Sequence, residues 1–382
     1  MRQSRAIKIP IYPNPEQETL ICKTFGCTRF IWNHMLSDES EFYLATDKHF
    51  IPTPAKYKKQ FAFLKEIDSL ALANVQLQLK KSFRDFFVNP KNFRHPKFKS
   101  KKRSKKSYTT NYQYFDTGPT ICVTKNSVRL PKLGLVKANL YRTPPEHWIL
   151  KSATVSQTKS GKFFCSLVYE FDTPVQQEVL PTETNTIGLD YSSPDFYVDD
   201  QGNSPQKKKW FRVSEEKLAH EQRLLANMKH GSKNYRKQLH KIQLLHEHIA
   251  NQRKDFIHKE SRRIANAYDA VCVEDLDLRA MSQSLNFGKA TADNGFGMFR
   301  VALKYKLEEQ GKHLIFIDKW YPSSKTCSFC GGYFGGLELG QKEWVCPHCK
   351  KIIPRDKNAG INIKREGVRQ FYAEQANPSS VA

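Results

Sequence analysis

The chain has 382 residues, enough for two or three compact units, since single cores stop growing near about 250–300 residues. Its formal charge is +24, from 62 basic against 38 acidic residues, which implies a polyanionic partner and makes nucleic acid the first candidate. An acidic membrane is the rival, but no apolar run approaches the ~20 residues of a span, no lipidation motif occurs, and Met1 to Pro15 lacks the apolar core of a signal peptide. The expectation is a cytosolic protein with no membrane partner.

In chain order, Lys8 to Tyr12 reads as a short strand, and Asn14-Pro15-Glu16-Gln17 supplies an N-cap, a proline at N1 and a capping-box glutamine. Leu20, Phe25, Thr28, Ile31 and Met35, then Leu72, Val75, Leu79, Phe83 and Phe86, recur at helical spacing, so residues from about 16 to 88 form a helical unit. From Lys91 to Lys106 nine Lys or Arg and no acid are interrupted by Pro96, Phe93 and Phe98. Such a run cannot pack a core, and phosphate contact in a groove is favoured over a solvated linker. Short β-type stretches follow at Thr120–Val123, Ser127–Leu130, Ala153–Gln157 and Phe163–Tyr169, separated by Gly, Pro and Asn turns, which suggests a small barrel over about 108–173.

After the polar linker Thr173–Thr184, strands alternate with helices. Thr186–Tyr191, Asp195–Asp199 and Trp210–Val213 read as three strands, with Asp200-Gln201-Gly202-Asn203 as a turn. A long basic helical stretch spans about 215–268, interrupted at Gly231-Ser232. The strand Ala270–Leu276, a glycine-marked loop to Gly297, a helix to Gln310 and the strand His313–Ile317 complete the order. No internal repeat is visible, and the tail 376–382 is expected to be disordered.

Of nine cysteines, Cys22, Cys27, Cys122, Cys165 and Cys272 sit singly, while the rest form Cys327-Ser-Phe-Cys330 and, fifteen residues on, Cys346-Pro-His-Cys349. Two such knuckles place four thiolates on a tetrahedron, the arrangement of one structural Zn²⁺ with no open coordination position. A redox reading lacks the surrounding βαβ pattern. His348, inside the second knuckle, is expected to stay outside the ligand set.

Three dispersed carboxylates carry the catalytic signal: Asp190 in Ile187-Gly-Leu-Asp-Tyr191, Glu274 in Val271-Cys-Val-Glu-Asp275, and Asp356 in Pro354-Arg-Asp-Lys-Asn-Ala359. A carboxylate inside an apolar strand is expensive to bury unless paired or bound to a cation. If the two strands are neighbours, Asp190 and Glu274 project on one side and Asp356 joins from a helix starting near Arg355. Three such oxygens make a hard-cation site for Mg²⁺ or Mn²⁺, and two ions about 4 Å apart suit phosphodiester hydrolysis. Asp195, Asp275 and Asp277 have equal chemistry and are assigned to structure.

Gly188-Leu-Asp-Tyr-Ser-Ser-Pro-Asp-Phe196, Val273-Glu-Asp-Leu276, Tyr321-Pro-Ser-Ser-Lys-Thr-Cys-Ser-Phe-Cys-Gly331 and Arg355-Asp-Lys-Asn-Ala-Gly-Ile-Asn-Ile363 resemble, in order, the RuvC and zinc-ribbon motifs of TnpB nucleases. Tyr12-Pro-Asn-Pro-Glu-Gln17, Thr28-Arg-Phe-Ile-Trp-Asn33 and Leu130-Pro-Lys-Leu-Gly134 look like the N-terminal parts of that family, so the resemblance covers nearly the whole chain. It implies kinship with type V CRISPR effectors, a guide RNA from the transposon end, and cleavage of double-stranded DNA beside a short transposon-adjacent motif. It also implies that Asp190, Glu274 and Asp356 form the catalytic triad. A transposase encoded by the same element is a further implied partner, and the setting is a bacterial or archaeal cytosol, associated with the nucleoid.

The architecture implied is a multidomain α/β protein. An RNase H-like RuvC nuclease domain (181–325 and 351–375) carries an inserted zinc ribbon (326–350), and a small β-barrel wedge domain (1–15 and 107–180) carries a helical recognition insertion (16–106) ending in the basic segment. Two departures stand out: Ile353-Pro354 replaces a usual His-Asp, and Lys350 follows the second knuckle where glycine is usual. Some relatives that have lost their carboxylates act as RNA-guided repressors, whereas this chain keeps all three. A transposase performing strand transfer at a similar acid triad is the other alternative.

Softer candidates for nucleic-acid contact are Asn74 and Gln78, whose amides can pair with adenine, and Thr110 and Asn111, which by resemblance lie where relatives read the adjacent motif. Leu70 and Leu72 beside them read as helix core. Lys101, Lys102 and Arg103 belong to the basic run. Arg253, Lys254 and Arg262, with His258, Lys259 and Arg263, precede the Glu274 strand on a helix where they could hold a guide–target backbone.

Overall fold

Helix α1 (Pro15–Thr46) starts where the sequence requires: the Gln17 N–H donates to Asn14 Oδ1 at 2.8 Å, and the Asn14 N–H donates back to Gln17 Oε1 at 3.1 Å. The computed structural model describes residues 2–116, 118–174, 176–205, 210–277, 280, 283, 294–338 and 340–376. They form two units, Met1–Pro174 and Val175–Ala382. No helix among the described residues is long and apolar enough to cross a membrane.

In the first unit, β1 (Arg2–Tyr12) precedes α1, α2 (Ala55–Gln60) and α3 (Ser69–Val88). Strands β2 (Lys106–Asn111), β3 (Tyr114–Phe115), β4 (Gly118–Pro119), β5 (Cys122–Val123), β6 (Ser127–Leu130), β7 (Gly134–Ala138), β8 (Ile149–Gln157) and β9 (Phe163–Asp172) follow. Seven of them pair antiparallel in the order β2-β8-β9-β1-β7-β6-β5, so β1 lies at the centre although the helices separate it in sequence from its partners. No pairing joins β2 to β5 among the described residues, so the expected barrel is an open sheet in its hydrogen bonding. Ile7, Ile9, Val155, Cys165 and Leu167 form its core, and Ile21 and Phe25 of α1 cover it. The helices have their own core of Ile31, Met35, Leu64, Leu72 and Leu79.

The basic run is not wholly solvated. Trp32 Nε1 donates to the Lys97 carbonyl at 3.0 Å, Asn33 brackets the Lys99 backbone with bonds of 3.0 and 2.8 Å, and Pro96 is buried. The Lys99 ammonium sits 3.4 Å from the Trp32 ring centroid, and burial pulls its pKa down to about 8.

The second unit is built on four strands in the order β11-β10-β12-β13, from β10 (Thr186–Ser192), β11 (Phe196–Asp199), β12 (Ala270–Glu274) and β13 (His313–Ile317). β10 runs antiparallel to β11 and parallel to β12, which is parallel to β13. Helices α4 (Trp210–Ala226), α5 (Lys233–Ala267) and α6 (Phe296–Glu308) intervene, and a ribbon of β14 (Glu343–Val345) and β15 (Ile352–Pro354) leads into α7 (Arg355–Ala376).

Alternation in the strands assigns the two faces of this sheet. Ile187, Leu189, Val271 and Val273 pack on Ile257 and Ile264 of α5 and on Phe299 and Leu303 of α6. The other face, with Gly188 and Cys272, meets α7 at backbone distance: a Cβ on Gly188 would lie 2.0 Å from the Gly360 carbonyl oxygen, and one on Gly367 would lie 2.3 Å from Cys272 Sγ.

Trp210–Val213, expected as a strand, is the first turn of α4. Three β-forming residues around Arg212 carry no period of their own, and the helix formers that follow extend back through them. Most of the expected loop to Gly297 and the tail 377–382 lie outside the described residues.

Candidate active site

The parallel register pairs Leu189 with Val273, which sets the next residues, Asp190 and Glu274, side by side on the face that α7 covers. Asp356 enters from the first turn of α7. All three are half-buried. Burial, then the negative charges of Glu274 and Asp356, hold the Asp190 carboxyl well above the ordinary carboxylate range, with Arg355 opposing. Burial also raises Glu274, whereas a bond from Ser323 works the other way: the hydroxyl donates to Glu274 Oε1 at 2.6 Å.

Among the described residues none of the three carboxylates forms an ion pair, and Arg355 acts on Asp190 only as a nearby opposing charge. That donor set fits a hard divalent cation. The carboxylates are electrostatic neighbours without being a closed cluster, because the cysteines are the one group among the described residues whose ligand atoms gather within 4.8 Å. The neighbouring acids are engaged elsewhere: Asp195 accepts from the Ser192 hydroxyl at 3.1 Å, Asp275 pairs with Arg300 at 2.8 Å, and Asp277 accepts from the Ala280 N–H at 3.0 Å.

Sequence reasoning missed three residues that support the site. Asn358 and Asn362, one turn apart on α7 and both buried, donate to backbone carbonyls of the strap between β13 and the first knuckle. Ser323 sits on that strap. The available signal was two amides four residues apart among Ala359, Gly360 and Ile363, a polar pair on a face otherwise built for close packing.

The four cysteine sulfurs lie within 4.8 Å of one another, with Cys327–Cys349 at 3.7 Å and Cys330–Cys346 at 3.6 Å. A zinc tetrahedron with Zn–S of about 2.3 Å has S···S edges of about 3.8 Å, so the cluster fits zinc with little adjustment. The backbone N–H groups of Cys349 and His348 point at Cys346 and hold its thiol down to about 6, which favours the thiolate a metal needs. His348 is exposed, lies against Gly332 and stands outside the sulfur group. Cys327 and Cys346 are buried with Trp344 and Ile353, so Ile353 serves the ribbon core. Gly331 and Lys350, the residues after each knuckle, both have positive φ, +73° and +60°, which explains why glycine suits position 350.

The candidate contacts divide. Lys101, Lys102, Arg103, Gln78 and Lys254 are exposed, and Asn111 is half-buried. Gln78 lines a cavity of about 330 Å³ with Arg29, Lys99, Lys105 and Lys106. Thr110 is fully buried, because its alternation in β2 turns it into the sheet core, so its hydroxyl presents nothing to a base and the expectation for it is corrected. Asn74 spends one amide bond on the Leu70 carbonyl at 2.9 Å, Arg262 pairs with Glu309 at 3.4 Å, and the Arg253 side chain packs beside Gly295. Leu72 is core, as expected.

Three family models match parts of the chain: OrfB_IS605, described as a probable transposase, over residues 166–285; the Cas12f1-like TNB domain over 296–363; and a helix-turn-helix domain over 1–48. The last region is here a strand and one long helix. An inferred RNA-guided DNA endonuclease of Streptomyces pristinaespiralis is 30% identical over 374 residues, covering 95% of this chain and 89% of the relative. The chain belongs to the OrfB/TnpB family of IS605-type elements. InsQ of Escherichia coli K12, also inferred to be an RNA-guided DNA endonuclease, is 26% identical over 391 residues, covering 96% of this chain and 93% of InsQ. The fold of this family member is similar to the Cas12f1 chain seen in a complex with sgRNA and target DNA, with a TM-score of 0.60 at 12% identity, covering 95% of this chain and 99% of that one.

Proposed function

We propose that this protein is an RNA-guided endonuclease that cuts double-stranded DNA beside a short adjacent motif, using a guide RNA from the end of its own element. The observation that carries the reading is the carboxylate set: two neighbouring strands and one helix terminus bring Asp190, Glu274 and Asp356 to one side of a sheet, with no ion pair to any of them among the described residues. That arrangement, on a mixed four-stranded sheet packed between helices, supports an RNase H-like assignment for the second unit. The first unit supplies the wedge-like sheet with its helical insert, and its exposed basic residues suit a phosphate backbone.

In the reaction, Asp190, Glu274 and Asp356 would hold a divalent cation, whose positive charge would favour the ionised form of the Asp190 carboxyl that burial and the neighbouring carboxylates disfavour. Mg²⁺ or Mn²⁺, as one ion or a pair, supplies activation of water and charge stabilisation at the leaving 3′ oxygen. Base pairing with the guide selects the target while the protein reads the short duplex motif. The zinc cluster, with four sulfur ligands, holds the ribbon and takes no part in chemistry.

The test separates binding from cutting. Loaded with copurified guide, Asp190→Ala should lose several orders of magnitude in cleavage while target affinity in a gel shift changes little, because the triad acts only through bound cation. Asp195→Ala should keep most cleavage, since Asp195 bonds within its own turn. Cleavage by Asp190→Ala at the parental rate, or in EDTA, would sink the assignment. The description of OrfB_IS605 as a transposase keeps strand transfer as a second reading, and sequencing of copurified RNA separates the two, because strand transfer needs no guide.

A further inference from the structure

Ser323 is the one side chain among the described residues seen to hydrogen-bond a member of the carboxylate triad, and it lies outside the strands and the helix that carry the triad. Its hydroxyl donates to Glu274 Oε1 at 2.6 Å, and Ser323 itself is only 3% exposed. Its backbone is fixed as well. The Asn362 amide donates to the carbonyls of Ser323 and Thr326 at 2.8 and 2.6 Å, the Asn358 amide donates to Thr326 at 2.8 Å, and Asn358 Oδ1 accepts the Ser328 N–H at 2.8 Å. Both asparagines ride on α7, the helix whose first turn carries Asp356, and the strap they grip runs directly into Cys327.

We propose that Ser323 is a positioning residue for the carboxylate site, clamped by Asn358 and Asn362 so that its hydroxyl orients Glu274 for a divalent cation; the inference rests on the metal-binding role proposed above for the triad. A hydroxyl is suited to this where a lysine or arginine is not. It satisfies one carboxylate oxygen and fixes the rotamer, yet it brings no positive charge that would compensate Glu274 and weaken its attraction for the metal. Partners of this kind around metal ligands typically govern affinity about 10–100-fold. With the strap carbonyls occupied by amide donors, the Ser323 hydroxyl faces the carboxylate from a backbone that cannot easily turn.

The test uses the full zinc-loaded chain and Mn²⁺ as probe, titrated by electron paramagnetic resonance, with Glu274→Gln marking what loss of a ligand looks like. Ser323→Ala should weaken Mn²⁺ binding about tenfold or more. Zinc content and thermal unfolding should stay parental, and cleavage should recover at high Mn²⁺, because the deficit lies in holding the ion. Ser323→Thr, which keeps the hydroxyl, should restore most of the affinity. If Ser323→Ala loses zinc or unfolds, Ser323→Cys, which fills the space of the serine but offers only a weak donor, is read the same way. Parental Mn²⁺ affinity in a folded variant lacking the hydroxyl, alongside a clear defect in Glu274→Gln, overturns the positioning role and leaves the triad reading intact. If the parent shows no Mn²⁺ binding that depends on Glu274, the metal reading and the positioning role fall together.

Discussion

Gly188→Ala tests whether backbone contact between β10 and α7 sets the carboxylate geometry. The added Cβ would stand 2.0 Å from the Gly360 carbonyl oxygen, 2.8 Å from the Lys364 nitrogen and 3.0 Å from Lys364 Cβ. The two nearest atoms belong to the backbone, so no rotamer change relieves the clash, and α7 must retreat by about 1 Å or more. Overpacking of this kind costs about 1–3 kcal/mol, partly offset by the roughly 0.5–1 kcal/mol that alanine regains over glycine within a strand. For a unit of this size the net loss corresponds to a fall in Tm of a few degrees. The larger effect falls on chemistry: Asp356 moves with the helix while Asp190, two residues from the substitution, stays on the sheet. A displacement of about 1 Å at a reacting centre can cost about 100-fold in rate. Thermal unfolding, a gel shift with guide and target, and a cleavage time course would be measured on parent and variant. The expected pattern is a modest fall in Tm, near-parental target affinity and cleavage reduced by about two orders of magnitude. Parental Tm together with parental cleavage would refute the reasoning, since it would show that α7 does not approach β10 this closely.

Asp190→Asn should stabilise the metal-free protein while abolishing cleavage. The folded-state pKa of Asp190 is raised, so its contribution is fully present below the unfolded carboxylate value and is lost as pH rises through the folded value; in EDTA, above the unfolded carboxylate value, burial and the neighbouring carboxylates make the group a burden that asparagine removes. A lower Tm for the variant under those conditions contradicts this. Lys350→Gly should raise stability by up to about 1 kcal/mol, because a left-handed backbone costs a non-glycine residue about 1–2 kcal/mol and glycine returns part of that through its looser unfolded chain. Chemical denaturation checks it, and an unchanged or lower midpoint counts against the strain at this residue. Elemental analysis should find one zinc per chain, and Cys346→Ser should lose it and expose Trp344, which is buried beside that cysteine; retained zinc with unaltered tryptophan emission would contradict the four-sulfur assignment.

Several elements follow from local sequence alone. The capping box at Asn14 and Gln17, the strands Ser127–Leu130 and His313–Ile317, and the start of α7 at Arg355 stand where spacing and residue type put them. The cysteine knuckles and the strand carboxylates were visible for a similar reason. A ligand spacing, or an acid inside an apolar run, is a property of a few adjacent residues. Local signals fail where the run is too short to show a period, as at Trp210–Val213, or where a polar residue lies on the inward side of a strand, as at Thr110. The charged run 91–106 reads as uniform in sequence, yet Trp32 and Asn33 single out Lys97 and Lys99 from across the helix.

The sequence by itself determined which residues can bind zinc, which acids stand in an apolar context and where most helices and strands begin, because these depend on covalent spacing and on periods of two and 3.6 residues. Only the tertiary structure decided how the acids meet. The alignment of β10 beside β12 joins residues 84 apart, the Ser323 bond reaches back 49 residues to Glu274, and Gly188 admits α7 from the far end of the unit. Such contacts are selected by packing density and by the need to satisfy buried polar groups, and both are properties of the assembled core that no short stretch of chain contains.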